Sequence, residues 1–183
     1  MVHIGTKVIE TERLILRRLR TEDADAMFRN WASDPEVTKF LTWPTHESVD
    51  LTSKLLGIWD AEYENNSFYQ WGIELKSLGE VIGSISVVRI EEEIEMADIG
   101  YCIGQPWWNQ GITSEAFKAV IDYLFGEVGF NRIVARHDVR NPHSGDVMKK
   151  CGMQFEGVLR SADKNNQGIC DVAQYAILKS DWE

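Results

Sequence analysis

The chain has 183 residues, 44% of them hydrophobic, which suits one domain with a sizeable core and leaves too little for two. Nineteen Lys and Arg stand against 29 Asp and Glu, and the formal net charge of −10 argues against a nucleic acid or an anionic membrane as partner, because phosphate would be repelled. A cationic substrate suits that field, although the same imbalance also serves solubility.

Residues 13–19 alternate apolar and charged side chains, the pattern of a half-buried strand. Thr21 offers an N-cap for a helix over 22–32, with Ala24, Met27, Phe28 and Trp31 at helical spacing and a stop at Asp34-Pro35. A second helix is predicted near 47–63. Segments 68–75 and 81–90, joined by Ser77-Leu78-Gly79-Glu80, predict an antiparallel hairpin, and a third strand covers about 96–103. Loop 105–111 then opens a helix over about 113–125, with Ala116, Val120, Ile121 and Leu124 facing inward and Gly126 and Gly129 ending it. A strand over 132–139, a short helix opened by Asn141-Pro142, and strands near 155–162 and 171–178 complete the chain. This order predicts an α+β fold, a mixed sheet between helical layers rather than a doubly wound one.

Cys102, Cys151 and Cys170 are odd in number, form no CxxC pair and read as reduced thiols. His3, His46, His137 and His143 have no ligand spacing, so no metal is expected. Residues 1–12 carry charges instead of an apolar leader, and no segment reaches the roughly 20 apolar residues of a membrane span, so a cytoplasmic protein is expected.

The chemistry concentrates in Trp108-Asn109-Gln110-Gly111-Ile112-Thr113-Ser114, a loop that enters a helix directly after a strand. The first N–H groups of that helix have no internal partner, its dipole is positive there, and Gly111 admits a bulky phosphate; the plainer reading is a simple helix cap. Strand, Gln/Arg-x-x-Gly-x-Gly/Ala and helix in this order resemble the acetyl-CoA diphosphate loop of the GNAT superfamily. Trp108 resembles the variation found in its ribosomal-protein N-acetyltransferase branch, and Thr113 departs from the usual Gly or Ala. Asn141-Pro142-His143-Ser144 with Val147, Lys150, Gly152-Met153 and Glu156-Gly157 is similar to that branch's NxxSxxVxxKxGFxxEG, and Thr11-Glu12-Arg13-Leu14-Ile15-Leu16-Arg17 to its TERLxLR opening. Ile99-Gly100-Tyr101 is a further match on the strand before the loop.

The resemblance implies a sheet splayed between the strand ending at Ile103 and the one ending near Val139, with acetyl-CoA in the gap. Tyr101, Cys102 and Ile103 would then bind the cofactor through backbone groups, with the Ile103 N–H at the thioester oxygen, while residues 108–114 hold the diphosphate. Asn141 would anchor the pantetheine or the acetyl end. Met148 stands where many members have a proton-donating tyrosine, which passes the general-acid role to Ser144; a helix-start hydrogen bond is the alternative for that hydroxyl. Asp98 and Asp163 are the candidate bases, with Glu95 behind them, and each is otherwise a surface charge; Asp171 on the last strand could equally line the acceptor cleft. Lys150, with Lys149 and Arg140, either meets the CoA phosphates or is solvated. Trp43, Trp59, Tyr63 and Trp71 either wall the acceptor site or pack the core. The expected activity is acetyl transfer to a protein N-terminal α-amine or a small-molecule amine, by a monomer or homodimer. A catalytically silent acyl-CoA-binding sensor is the alternative.

Overall fold

The computed structural model describes residues 1–182. Eight strands form one sheet: β1 (Ile9–Glu10), β2 (Leu14–Arg17), β3 (Gln70–Leu75), β4 (Glu80–Glu91), β5 (Met96–Ile103), β6 (Arg132–Asp138), β7 (Gln154–Asn165) and β8 (Gly168–Leu178). Their spatial order is β1-β2-β3-β4-β5-β6-β8-β7, and every neighbouring pair is antiparallel except β5 with β6. That exception follows from the connection, since α4 (Ile112–Tyr123) returns the chain across the sheet before β6. The remaining helices are α1 (Ala24–Met27), α2 (Pro35–Thr38), α3 (Val49–Glu62), α5 (Pro142–Lys150) and α6 (Lys179–Trp182).

The two larger apolar cores sit on opposite faces of the sheet, and Met96, Val134 and Ala176 form a small third cluster. Phe117, Val120 and Leu124 from the α4 segment and Met148 from α5 pack on Ile85, Ile99, Ile133 and Ala135. Ala24, Met27, Trp31 and Leu56 from the early helices pack with Leu19 and Val81, with Cys102 at the margin. The layering expected from element order is thus present, with a mixed sheet between two helical layers.

Local chemistry departs from expectation at two helix ends. Thr21 does not cap; the Asp23 carboxylate accepts the Arg20 N–H at 2.8 Å and the Arg17 guanidinium at 2.8 and 2.9 Å. Gly126 does not stop the α4 segment either. The chain continues as a wider π-type turn over Leu124–Val128 and ends only at Gly129, whose φ of 88° supplies the left-handed turn.

Gly104, just past β5, closes against the early helices. An added Cβ there would collide with the Asn30 carbonyl oxygen and come within 2.8 Å of the Trp107 ring. Gly104→Ala is therefore expected to cost about 1–3 kcal/mol by overpacking. A urea midpoint equal to that of the wild type would show that the two segments separate freely.

Candidate active site

The β5–β6 pairing lasts four rungs, from Met96 with Arg132 to Ile99 with Ala135. Beyond it β5 stays on β4 as far as Ile103, opposite Gly83, while β6 stays on β8 as far as Asp138. The strands part in between, and register decides which groups the opening exposes. Bonded and non-bonded pairs alternate along an antiparallel ladder. Gly104 N–H donates to Ile82 O at 2.9 Å, so Cys102 falls in a bonded pair with Ser84, and the main-chain groups of Tyr101 and Ile103 turn away from β4 into the opening. Cys102 is thereby withdrawn from the cofactor contacts the resemblance implied. Its Sγ also lies on the other face, 3.5 Å from Ser84 Oγ. Trp108 Nε1 donates to Ile103 O at 2.8 Å, which occupies the carbonyl and leaves the Ile103 N–H as the free donor of that residue.

The loop after β5 takes left-handed backbone on both sides of Gln110, with φ of 58° at Asn109 and 74° at Gly111. Glu115 N–H is the first to bond within the helix, to Gly111 O at 3.0 Å, so the N–H groups of Ile112, Thr113 and Ser114 precede the ladder. An added Cβ at Gly111 would meet nothing nearer than an Arg13 nitrogen at 3.7 Å, so glycine is required there by torsion and not by space.

Helix α5 joins this loop to the mouth of the opening. At its start Asn141 Nδ2 donates to Ser144 Oγ at 3.3 Å, and the Tyr101 hydroxyl donates to Ser144 O at 2.9 Å. Just past its end the Cys151 thiol donates to Ser114 O at 3.5 Å. Nine residues of α-helix span roughly 13 Å, so Asn141 and Ser144 sit at one end of a groove and the loop at the other. Lys150 is exposed on the last turn beside Cys151, at the loop end; Lys149 pairs with Asp146 at 3.5 Å. Met148 is 1% exposed and belongs to the core.

The carboxylates differ. Asp98 is 2% exposed and bound by Arg136 at 2.9 Å and Arg89 at 3.7 Å. Burial pushes its pKa up, Arg136 and Arg89 pull it down, and burial prevails; the nearby charge of Asp163 adds to the rise. Asp163 sits half-buried at a break in the β7–β8 register. Asp171 Oδ1 accepts the Ser161 N–H at 2.8 Å, and Glu95 lies in the left-handed turn before β5, eight residues or roughly 26 Å of strand from Ile103. Glu95 therefore stands far from the mouth of the opening, whereas Asp171 O accepts the Val139 N–H at 3.1 Å just past the end of β6. Arg140 turns back to Asp138 at 2.6 Å.

Several functional contacts escaped the sequence. Thr11, Arg13 and Glu115 form one cluster against the loop, with Arg13 Nη1 donating to Gln110 O at 2.9 Å. Asn166, at the tip of the β7–β8 hairpin, donates through Nδ2 to Thr38 O and Trp43 O, both at 2.8 Å, and through its main chain to Leu41 O at 3.1 Å. Of the four aromatics, Trp71 is fully buried on the α4 face with Nε1 bonded to Lys7 O, and the Tyr63 hydroxyl bridges Leu19 and Gln70, so both are core. Trp43 and Trp59 flank the early-helix core.

Comparison with known proteins points one way. The family model described as "Acetyltransferase (GNAT) domain" matches residues 13–154. The uncharacterized N-acetyltransferase YoaA of Bacillus subtilis is 34% identical over 94% of this chain and 97% of its own. The ribosomal-protein-serine acetyltransferase of Escherichia coli is 37% identical over 53% of this chain and 54% of its own. The crystal structure of a GNAT-family acetyltransferase from Bacillus anthracis superposes with a TM-score of 0.82 at 26% identity, covering 95% of this chain and 99% of that one.

Asp138, at the end of β6, generates a pH dependence. Its carboxylate accepts hydrogen bonds from the Arg140 side chain and main chain and from Asn165, and the Arg140 contact above all holds its pKa well below the usual carboxylate range. A lowered folded pKa gives stability that is fully present above the unfolded value of about 3.9 and is lost as pH falls through the folded value. Asp138→Asn is expected to lower the urea midpoint at pH 7, and its difference from the wild type is expected to narrow progressively as pH falls below about 4. A pH-independent difference would contradict this.

Proposed function

Because the chain belongs to the GNAT family of acetyltransferases and is an acetyl-CoA-dependent N-acetyltransferase, we propose that it acts on a primary amine, foremost a protein N-terminal α-amine. The observation that carries this reading is the pairing of free main-chain groups at Tyr101 and Ile103 with the Asn141–Ser144 couple beside them. The E. coli relative named for ribosomal-protein serine acetylation supports the class of acceptor, as does the acidic charge of the chain.

Acetyl-CoA supplies an activated acetyl carbon; the amine nitrogen bonds to it, the carbon–sulfur bond breaks, the amine loses a proton and the CoA sulfur gains one. Ile103 N–H is the donor for the carbonyl oxygen as it becomes negative, a role worth about 3 kcal/mol in acyl transfer. Ser144 is the proton donor to sulfur. Its Oγ accepts from Asn141, so its own hydrogen remains available, and Asn141 side-chain capping of the helix is absent. An α-amine with a pKa near 8 is partly neutral at cytosolic pH, so a water-relayed carboxylate suffices as base. We assign that part to Asp98, on the strand that ends at Ile103, with Asp163 near it. The diphosphate falls to residues 108–114 and Lys150, at the far end of the groove. A cytoplasmic setting agrees with three free thiols, Cys102, Cys151 and Cys170.

Release of CoA thiol over a panel of free-N-terminus peptides and small amines tests the activity; binding of CoA with turnover on none would make the chain a sensor instead. Ser144→Ala is expected to lower kcat roughly 100-fold with CoA affinity kept, and an unchanged kcat would remove Ser144 from the acid role. Gly111→Val is expected to weaken CoA binding roughly tenfold through backbone strain, measured by calorimetry. Unaltered affinity would mean the diphosphate lies elsewhere.

A further inference from the structure

We infer that Arg13 is a positioning residue of the diphosphate loop: it orients the Gln110–Gly111 peptide toward the cofactor and removes the charge of Glu115 from the site. This rests on residues 108–114 holding the diphosphate. Arg13 lies at the turn between β1 and β2, about a hundred positions from the loop in sequence, yet its Nη1 donates to Gln110 O at 2.9 Å. In a planar trans peptide the carbonyl and the following N–H point in opposite directions. Drawing Gln110 O toward the sheet edge therefore commits the Gly111 N–H to the opposite, concave side. Gly111, on the far side of that peptide, has a φ of 74° and no Cβ to restrict it, so the Arg13 hydrogen bond is what holds the carbonyl.

Glu115 explains why the anchor is a cation. It stands one turn into α4, where a free carboxylate would repel a diphosphate. Instead it accepts the Thr11 hydroxyl at 2.6 Å, the Arg13 main-chain N–H at 2.9 Å and Arg13 Nε at 2.7 Å. Burial alone would raise its pKa, but these donors outweigh burial and hold it below the ordinary range, so the carboxylate stays ionised and directed at the sheet edge. One guanidinium thus serves the carboxylate and the loop carbonyl together, and Arg13 Nη2 remains 3.7 Å from the position of a Gly111 Cβ. Lysine has no such fork.

Calorimetric titration with CoA and with pantetheine, which lacks the diphosphate, tests the inference. In the wild type CoA is expected to bind far more tightly than pantetheine. In Arg13→Met the CoA affinity is expected to fall roughly tenfold with pantetheine affinity unchanged, so the ratio of the two shrinks; a ratio of affinities is insensitive to any unfolded fraction. Arg13→Lys is expected to remain as weak as Arg13→Met. An unchanged ratio in Arg13→Met, or full recovery in Arg13→Lys, would overturn the positioning role while leaving the loop assignment intact. Equal binding of CoA and pantetheine by the wild type would overturn the loop assignment and this inference with it.

Discussion

The site depends on where one parallel ladder stops. After Ile99 and Ala135, β5 and β6 each keep a partner on the outer edge and lose the one between them. Buried main-chain groups without partners are costly, and a continuous sheet would ordinarily close such a gap. Here the Tyr101 ring packs against Phe117 at 5.3 Å between centroids, and its hydroxyl reaches the Ser144 carbonyl, so a side chain of β5 ties that strand to α5. The opening is thus braced by packing beneath it. The same brace sets the start of α5, with Asn141 and Ser144, beside the main-chain groups that the opening exposes.

Electrostatics follow a common scheme around that opening. A chain of net charge −10 must hold a polyanionic cofactor, and three carboxylates around the site are answered by arginines: Glu115 by Arg13, Asp98 by Arg136 and Arg89, Asp138 by Arg140. The environments still separate these acids. Asp138 accepts several hydrogen bonds and is held strongly acidic, whereas Asp98 is buried enough that desolvation outweighs its two cations. The two acids are thus shifted in opposite directions, Asp138 down and Asp98 up.

Local pattern carried most of the architecture. The span 96–103 agrees with β5 residue for residue, and the hairpin of β3 and β4 pairs as its alternation and turn suggested. Gly126 misled because a π-type turn accommodates glycine without left-handed backbone, and only Gly129 has that conformation. Motif resemblance located the loop and the Asn141–Ser144 pair. It did not reveal which of Tyr101, Cys102 and Ile103 faces the opening, because that depends on the ladder's parity, a property of two strands and not of one. The Arg13–Glu115 contact was out of reach for a related reason: its partners are 102 positions apart, and each taken alone looks like an ordinary surface charge.

The Asn166 contacts carry a consequence for how this scaffold diversifies. They hold the 38–43 segment entirely through the carbonyls of Thr38, Leu41 and Trp43, groups that every amino acid possesses. These bonds therefore leave the side chains of Leu41 and Thr42 exchangeable while the strap stays fastened, whereas Trp43 also packs against the early-helix core. Mutational drift at those positions changes the surface of the strap and leaves its fastening to the β7–β8 hairpin intact.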